Sequence, residues 1–167
     1  MKKFLLITFA LLIGIYSADA QKDMSGEMYD LAKMKSGIRN RRVSSYDKDG
    51  YNKDRKSFIA PDSTLVLADI KGAGVINHIW ITISPTPDKL SRNDIILKMY
   101  WDGNEEPSVV SPIGPFFGQG WRERYNYNTF ALTAGPTEGS GLCCYFAMPF
   151  EKGARIEIEN QAGREIR

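Results

Sequence analysis

From Leu65 onward, apolar residues recur at every second position in short runs, and each run stops at glycine, proline or an Asp-Gly pair. That period belongs to a pleated strand with one buried face, because a helix needs apolar residues three and four apart. Leu65, Leu67 and Asp69 alternate with Val66, Ala68 and Ile70 before Lys71-Gly72-Ala73-Gly74 turns the chain. Val75, Asn77, Ile79, Ile81 and Ile83 then face away from Ile76, His78, Trp80 and Thr82. Pro85 and Pro87 interrupt the pattern, and Ile95, Leu97, Met99 and Trp101 restore it opposite Ile96, Lys98 and Tyr100. Asp102-Gly103 supplies a tight hairpin turn, since glycine accepts the positive φ that such a turn demands. Further strands are predicted at 108–110, 130–133, 142–148 and 155–159, with a structured Gly- and aromatic-rich loop over 112–128. Many short strands at even spacing predict a mainly β fold, an antiparallel jelly-roll sandwich. Trp80 and Trp101 are expected in its core, and His78 is expected as a hydrogen-bonded structural residue.

The amino terminus predicts a destination. Lys2 and Lys3 precede an apolar stretch from Phe4 to Ile15, and Ser17-Ala18-Asp19-Ala20 ends in the small-x-small pattern of a cleavage site. Residues 1–20 therefore read as a signal peptide cleaved near Ala20, with the mature chain periplasmic or secreted. The apolar stretch is shorter than the roughly 20 residues a spanning helix needs, so no membrane span is expected in the mature chain. Residues 21–40 read as a helical segment, with Met28, Leu31, Ala32 and Lys35 at helical spacing over 26–35, Ser25 as N-cap and Gly37 as C-cap. Residues 41–167 suit one domain with its own core.

Charge and cysteine content narrow the function classes. The chain carries 22 Lys and Arg against 20 Asp and Glu, and loss of the leader removes Lys2, Lys3 and Asp19, so nothing suggests nucleic acid. Cys143 and Cys144 are adjacent, closer than the roughly 4.4 Å Cα separation at which ordinary disulfides begin, so no disulfide framework holds this exported chain. At the other end, Asn160-Gln161-Ala162-Gly163 reads as a turn, and Arg164-Glu165-Ile166-Arg167 opens a strand that stops before it can pair fully. An exposed half-built edge is an aggregation hazard, and it predicts a domain incomplete at its C-terminal end, the first piece of a longer protein. A complete protein with a frayed last strand is the alternative.

Between Arg41 and Phe58 the sequence is crowded with Ser, Asp, Asn, Arg and Tyr and nearly empty of aliphatic residues. Such a run cannot be core. These are the groups that grip a polyhydroxylated ligand, because hydroxyls need paired donors and acceptors while sugar C–H faces stack on aromatic rings. The same run also reads as a solvated loop with an Asp-rich turn. No standard catalytic motif is present. His78 is the one histidine and has no local metal partner. No nucleophile-elbow sequence supports a triad of Ser45, His78 and Asp47. Gly114, Gly118 and Gly120 lack the strand and helix context of a phosphate cradle. Asp47, Asp49 and Asp54 resemble a calcium loop without its twelfth-position glutamate, and a structural cation is left open. Asp47, Asp54, Asp69, Asp102, Glu123 and Glu138 are candidate acids by type, but nothing in their spacing pairs two of them as glycoside hydrolysis requires.

The order of segments resembles one family. Arg42-Val43-Ser44-Ser45-Tyr46-Asp47, Leu67-Ala68-Asp69-Ile70-Lys71-Gly72, His78-Ile79-Trp80 and Met99-Tyr100-Trp101-Asp102-Gly103 look like its successive signatures. Pro112-Ile113-Gly114-Pro115-Phe116-Phe117-Gly118, Cys144-Tyr145-Phe146-Ala147-Met148-Pro149-Phe150 and Ala154-Arg155-Ile156-Glu157-Ile158-Glu159-Asn160 complete it. The family is glycoside hydrolase family 172, long described as a domain of unknown function. The resemblance implies a retaining exo-acting furanosidase, acting on α-linked fructofuranose or arabinofuranose without any organic cofactor. It also implies a subunit of two jelly rolls that assembles as trimers or hexamers, with the catalytic glutamates beyond Arg167. On that reading the chain is the first jelly roll, inactive alone and without catalytic residues of its own. One wall of the sugar pocket is then expected from Ser45, Asp47, Asn52 and Asp54, supported by Tyr46, Phe116 and Phe117. The alternative is a module that binds carbohydrate without chemistry, or that only assembles the oligomer.

Overall fold

A computed structural model describes residues 33, 36–56, 58–84 and 91–167. The expected leader at 1–20 lies outside the described residues, as does the expected helix at 26–35 apart from Lys33. The chain divides into two units, Met1–Arg42 and Val43–Arg167.

Ten strands follow in order: β1 (Thr64–Lys71), β2 (Gly74–Ile76), β3 (Ile79–Thr82), β4 (Ile95–Trp101), β5 (Val109–Pro112), β6 (Tyr127–Asn128), β7 (Leu132–Gly135), β8 (Gly141–Cys144), β9 (Met148–Phe150) and β10 (Gly153–Asn160). A 3-10 turn at Arg92–Asp94 leads into β4, and a single helical turn, α1 (Ile113–Phe116), follows β5. The strands form a four-stranded sheet in the order β1-β10-β4-β5, a second in the order β3-β8-β7-β6, and a two-stranded ribbon of β2 and β9. Every pair is antiparallel. The protein is mainly β, as the alternating pattern predicts.

Both four-stranded sheets supply one core cluster. Ile95, Leu97 and Met99 of β4 lie beside Ile156 and Ile158 of β10, and Ala134, Leu142 and Cys144 come from the second sheet. Each fully buried aliphatic side chain in such a cluster stabilises by about 1.5–3 kcal/mol. The Asp102-Gly103 turn forms as expected, with both residues at positive φ (59° and 84°) and Asn104 N–H donating to Trp101 C=O at 3.1 Å.

Four expectations are corrected. In β1 the register shifts between Val66 and Ala68, so Leu65, Leu67, Ala68 and Ile70 are all half-buried while Val66 and Asp69 are exposed. A bulge adds one residue to a strand and moves its inward set from odd to even positions. Trp80 is not core: it is 58% exposed, because β3 turns Ile79 and Ile81 inward. Trp101 is half-buried, packed on the core and stacked with Phe150 at 6.5 Å between centroids. His78 is exposed in the break between β2 and β3, and its ring stacks on Tyr145 at 5.0 Å. The last residues, read as a strand that stops before it can pair fully, make an isolated bridge to Ile59 and bond Ser84. Ile166 exchanges backbone hydrogen bonds with Ile59 at 2.7 and 3.1 Å, and Arg167 does so with Ser84 at 2.7 and 2.8 Å.

Asn160 explains that closure. Its side chain is fully buried, donates to the carbonyls of Ile59, Ala60 and Arg164 at 2.7–3.1 Å, and accepts from Ala162 N–H at 2.9 Å. Sequence reading placed Asn160 in a turn. Its other partners lie about a hundred residues away in the chain, beyond the reach of any local pattern.

The outward faces of the two sheets differ in kind. On β1-β10-β4-β5, Asp69, Arg155 and Tyr100 share one cross-strand row, and Glu157 sits beside Lys98 in the next. Charges there are paired: Lys98 with Glu159, Arg155 with Glu157 at 3.4 Å, and Lys71 with Asp69 at 2.9 Å. On the other sheet, Trp80, Cys143, Thr133 and Asn128 form one row, with Thr82, Gly141 and Gly135 in the next. None of those residues carries a charge.

Candidate functional site

The polar run folds on itself around one carboxylate. Asp47 Oδ1 accepts from Asp49 N–H at 3.0 Å, and Oδ2 accepts from Tyr51 and Lys53 N–H at 3.2 and 3.0 Å. Short-range side-chain-to-backbone bonding of this kind is what Asp offers a turn. Gly50 and Asn52 take the positive φ values (77° and 58°) that the reversal demands, a conformation which glycine and asparagine tolerate best. The Asp47 carboxyl is held below its ordinary value, first by the Asp49 N–H and then by Lys53 N–H.

Asp54 closes the loop from the other end. Its Oδ1 accepts from Asp47 N–H at 2.6 Å, and its backbone carbonyl accepts from the Ser45 hydroxyl at 3.3 Å. Ser45, Asp47 and Asp54 are thus brought into one hydrogen-bonded unit, and Asn52 lies within the same turn. Tyr46 is 63% exposed and Asn52 and Asp54 are exposed. Asp47 spends both oxygens on the backbone, so its work in this fold is to shape the loop.

The two phenylalanines sit elsewhere, at the end of α1. Phe117 is fully buried in the core. Phe116 is half-buried and meets Phe117 edge-on at 5.0 Å and Phe146 at 6.3 Å. Both act as packing rings in this domain. Beyond them, Gly118 takes a φ of +73° under the Tyr127 hydroxyl, where an added Cβ would lie 2.6 Å from that oxygen.

A buried cation that the sequence did not advertise holds the rest of the Gly-rich loop. Arg92 is 4% exposed; its guanidinium donates to Gln119 Oε1, to Gly139 C=O at 2.8 Å and to Ser140 C=O at 3.2 Å. Gln119 Nε2 in turn donates to Tyr125 C=O at 2.9 Å. Burial, with Arg124 adding like charge, lowers the Arg92 pKa to about 10. The node fixes two segments whose backbones run left-handed at ordinary residues, Trp121-Arg122 and Thr137-Glu138, each such residue costing roughly 1–2 kcal/mol. The signal for Arg92 would have been a lone arginine ahead of a strand, which resembles any surface charge.

The candidate acids are spread out and mostly committed. Asp102 Oδ1 accepts from Lys152, Glu151 and Gly153 N–H at 2.7, 2.8 and 3.4 Å, and the Lys152 N–H above all holds its pKa down. Asp69 pairs with Lys71. Asp69 and Asp102 border an open depression of about 550 Å³ with Tyr100 and Arg155, on the charged sheet face and without any of the seven expected binding residues. Two of its acids are engaged, Asp69 by Lys71 and Asp102 by backbone N–H groups, while Glu105 on its rim is exposed. Among the described residues no group of three or more His, Cys, Asp or Glu side chains could hold a metal ion. No helix among them is long and apolar enough to cross a membrane.

The architecture and the loop define a class: an antiparallel β domain preceded in the chain by an ordered polar loop. A family model described as GH172 domain-like matches residues 50–167, so the chain belongs to that glycoside hydrolase family. Carbohydrate is the substrate class that membership implies. The match takes in Asn52, Asp54, Phe116 and Phe117, and begins after Ser45, Tyr46 and Asp47. No curated protein matches the sequence.

Proposed function

We propose that this chain is the amino-terminal part of an exported, retaining exo-furanosidase that removes terminal α-linked fructofuranose or arabinofuranose from oligo- or polysaccharides. The observation that carries the proposal is the family match over 50–167. The loop at 45–54 supports it by offering Asn52, Asp54 and Tyr46 to a sugar ring on a turn already ordered by Asp47. A ligand meeting that loop orders little further chain, which lowers the entropic cost of binding. Export follows a leader cleaved near Ala20, and the subunits assemble as trimers or hexamers.

The acid and nucleophile come from outside residues 1–167. Asp47 and Asp102, both held below the ordinary carboxylate value by backbone N–H groups, are poor general acids for such hydrolysis. The test is release of the aryl group from aryl α-arabinofuranosides and α-fructofuranosides. The 167-residue chain is expected to show none, and the full-length enzyme to turn them over. Turnover by the short chain that Asp47→Asn abolishes would overturn the assignment.

A further inference from the structure

We infer that the outward face of β3-β8-β7-β6 is a second carbohydrate-binding surface, a neutral aromatic platform for a glycan chain built from residues other than those of the 45–54 loop. Its ridge is Trp80 together with the His78–Tyr145 pair, whose rings lie 17° from parallel. Trp80 is 58% exposed and Tyr145 50% exposed. Beside the ridge Gly141 lies buried under the indole and Gly135 leaves open space. Trp80 reaches toward Gly141, where a Cβ would meet the indole Nε1 at 3.4 Å, while a Cβ on Gly135 would meet nothing within 4 Å. Thr82 shares the row of these glycines and Thr133 the row of Trp80 through the β3-β8-β7 register.

The chemistry selects the occupant. Large exposed rings mark a binding surface when they gather on one face, and these gather where hydroxyl donors and acceptors also stand. A nucleic acid or an acidic or basic peptide would need opposite charge, and the rows of this face hold none. A neutral polyol asks for what is present: flat rings for its C–H faces and hydroxyls for its own. A second copy of the chain fits less well, because stable protein interfaces take about 20–30 residues a side, against the roughly ten outward positions of this small sheet. Membership of a glycoside hydrolase family makes a glycan the available ligand. The inference uses that membership but not the role proposed for the loop.

Affinity electrophoresis of the 167-residue protein through gels containing soluble arabinan or inulin tests it. The wild-type chain is expected to be retarded, with roughly tenfold weaker retention for Trp80→Ala or Tyr145→Ala. Trp80→Phe should restore most of the retention. Unaltered circular dichroism would show that the alanine variants fold. Retention that survives both alanine substitutions, or no retention of the wild type, overturns the inference. So does sedimentation showing a wild-type oligomer that Trp80→Ala dissociates, since the face would then be covered by another copy.

Discussion

The two four-stranded sheets share one core yet turn opposite chemistry outward. The face of β1-β10-β4-β5 carries ion pairs that bury much of what they touch: Tyr100 is 9% exposed beneath Arg155, whose guanidinium lies 4.1 Å from its ring centroid, and Glu157 is 8% exposed. The face of β3-β8-β7-β6 leaves Trp80 open and has no charge to offer. An outer face that satisfies itself contributes to stability and has little left for a partner. An outer face with open rings and free hydroxyls contributes little to folding and has much to give a ligand. The same sandwich thus separates holding together from binding, one sheet for each.

That comparison breaks if the two faces respond alike to truncation. Tyr100→Ala removes a buried ring and strips Arg155 of its cation–π contact, and is expected to cost ~3–5 kcal/mol by urea unfolding. Trp80→Ala removes a larger ring, yet should change stability by no more than ~0.5 kcal/mol, because that ring is mostly in water already. A large loss at Trp80 would make the aromatic face structural.

A smaller effect sharpens the contrast. Glu159 has its pKa lowered by Gln161 and then Lys98, and Lys98 has its pKa raised by Glu159. The Glu159 contribution is present above the ordinary carboxylate pKa and is lost as pH falls through the lowered one. The Lys98 contribution is present below the ordinary lysine pKa and is lost as pH rises through the raised one. Both side chains are about a quarter exposed, so the pair is worth ~0.2–1 kcal/mol at neutral pH. Glu159→Gln should flatten the acid limb of a stability-against-pH curve by that amount. An unchanged limb would show that the charged face is solvated rather than self-satisfied.

Much of this fold is legible in the sequence because its signals are local. The alternation of Ile95, Leu97 and Met99, the Asp102-Gly103 turn and the strand around Arg155–Glu159 each depend on neighbours a few residues away. What the sequence hides depends on distant partners or on parity. Asn160 and Arg92 become nodes only when chain ends and loops arrive around them. Trp80 reads as core by size, but in a strand of four residues bounded by bends, composition does not decide which face turns inward. In the 45–54 loop the residue types announce polarity, whereas the assignment of both Asp47 oxygens to its own backbone exists only once the turn has closed.

We propose that the loop ordered by Asp47 frames a furanoside pocket, and steady-state kinetics of Asp54→Ala in the full-length enzyme decide the point. Loss of a charged hydrogen bond to substrate, about 1.5–3 kcal/mol, predicts kcat/KM on an aryl α-furanoside lowered some ten- to hundredfold, with the melting temperature unchanged. Wild-type kinetics in that variant would contradict the claim and leave the loop an ornament of the surface.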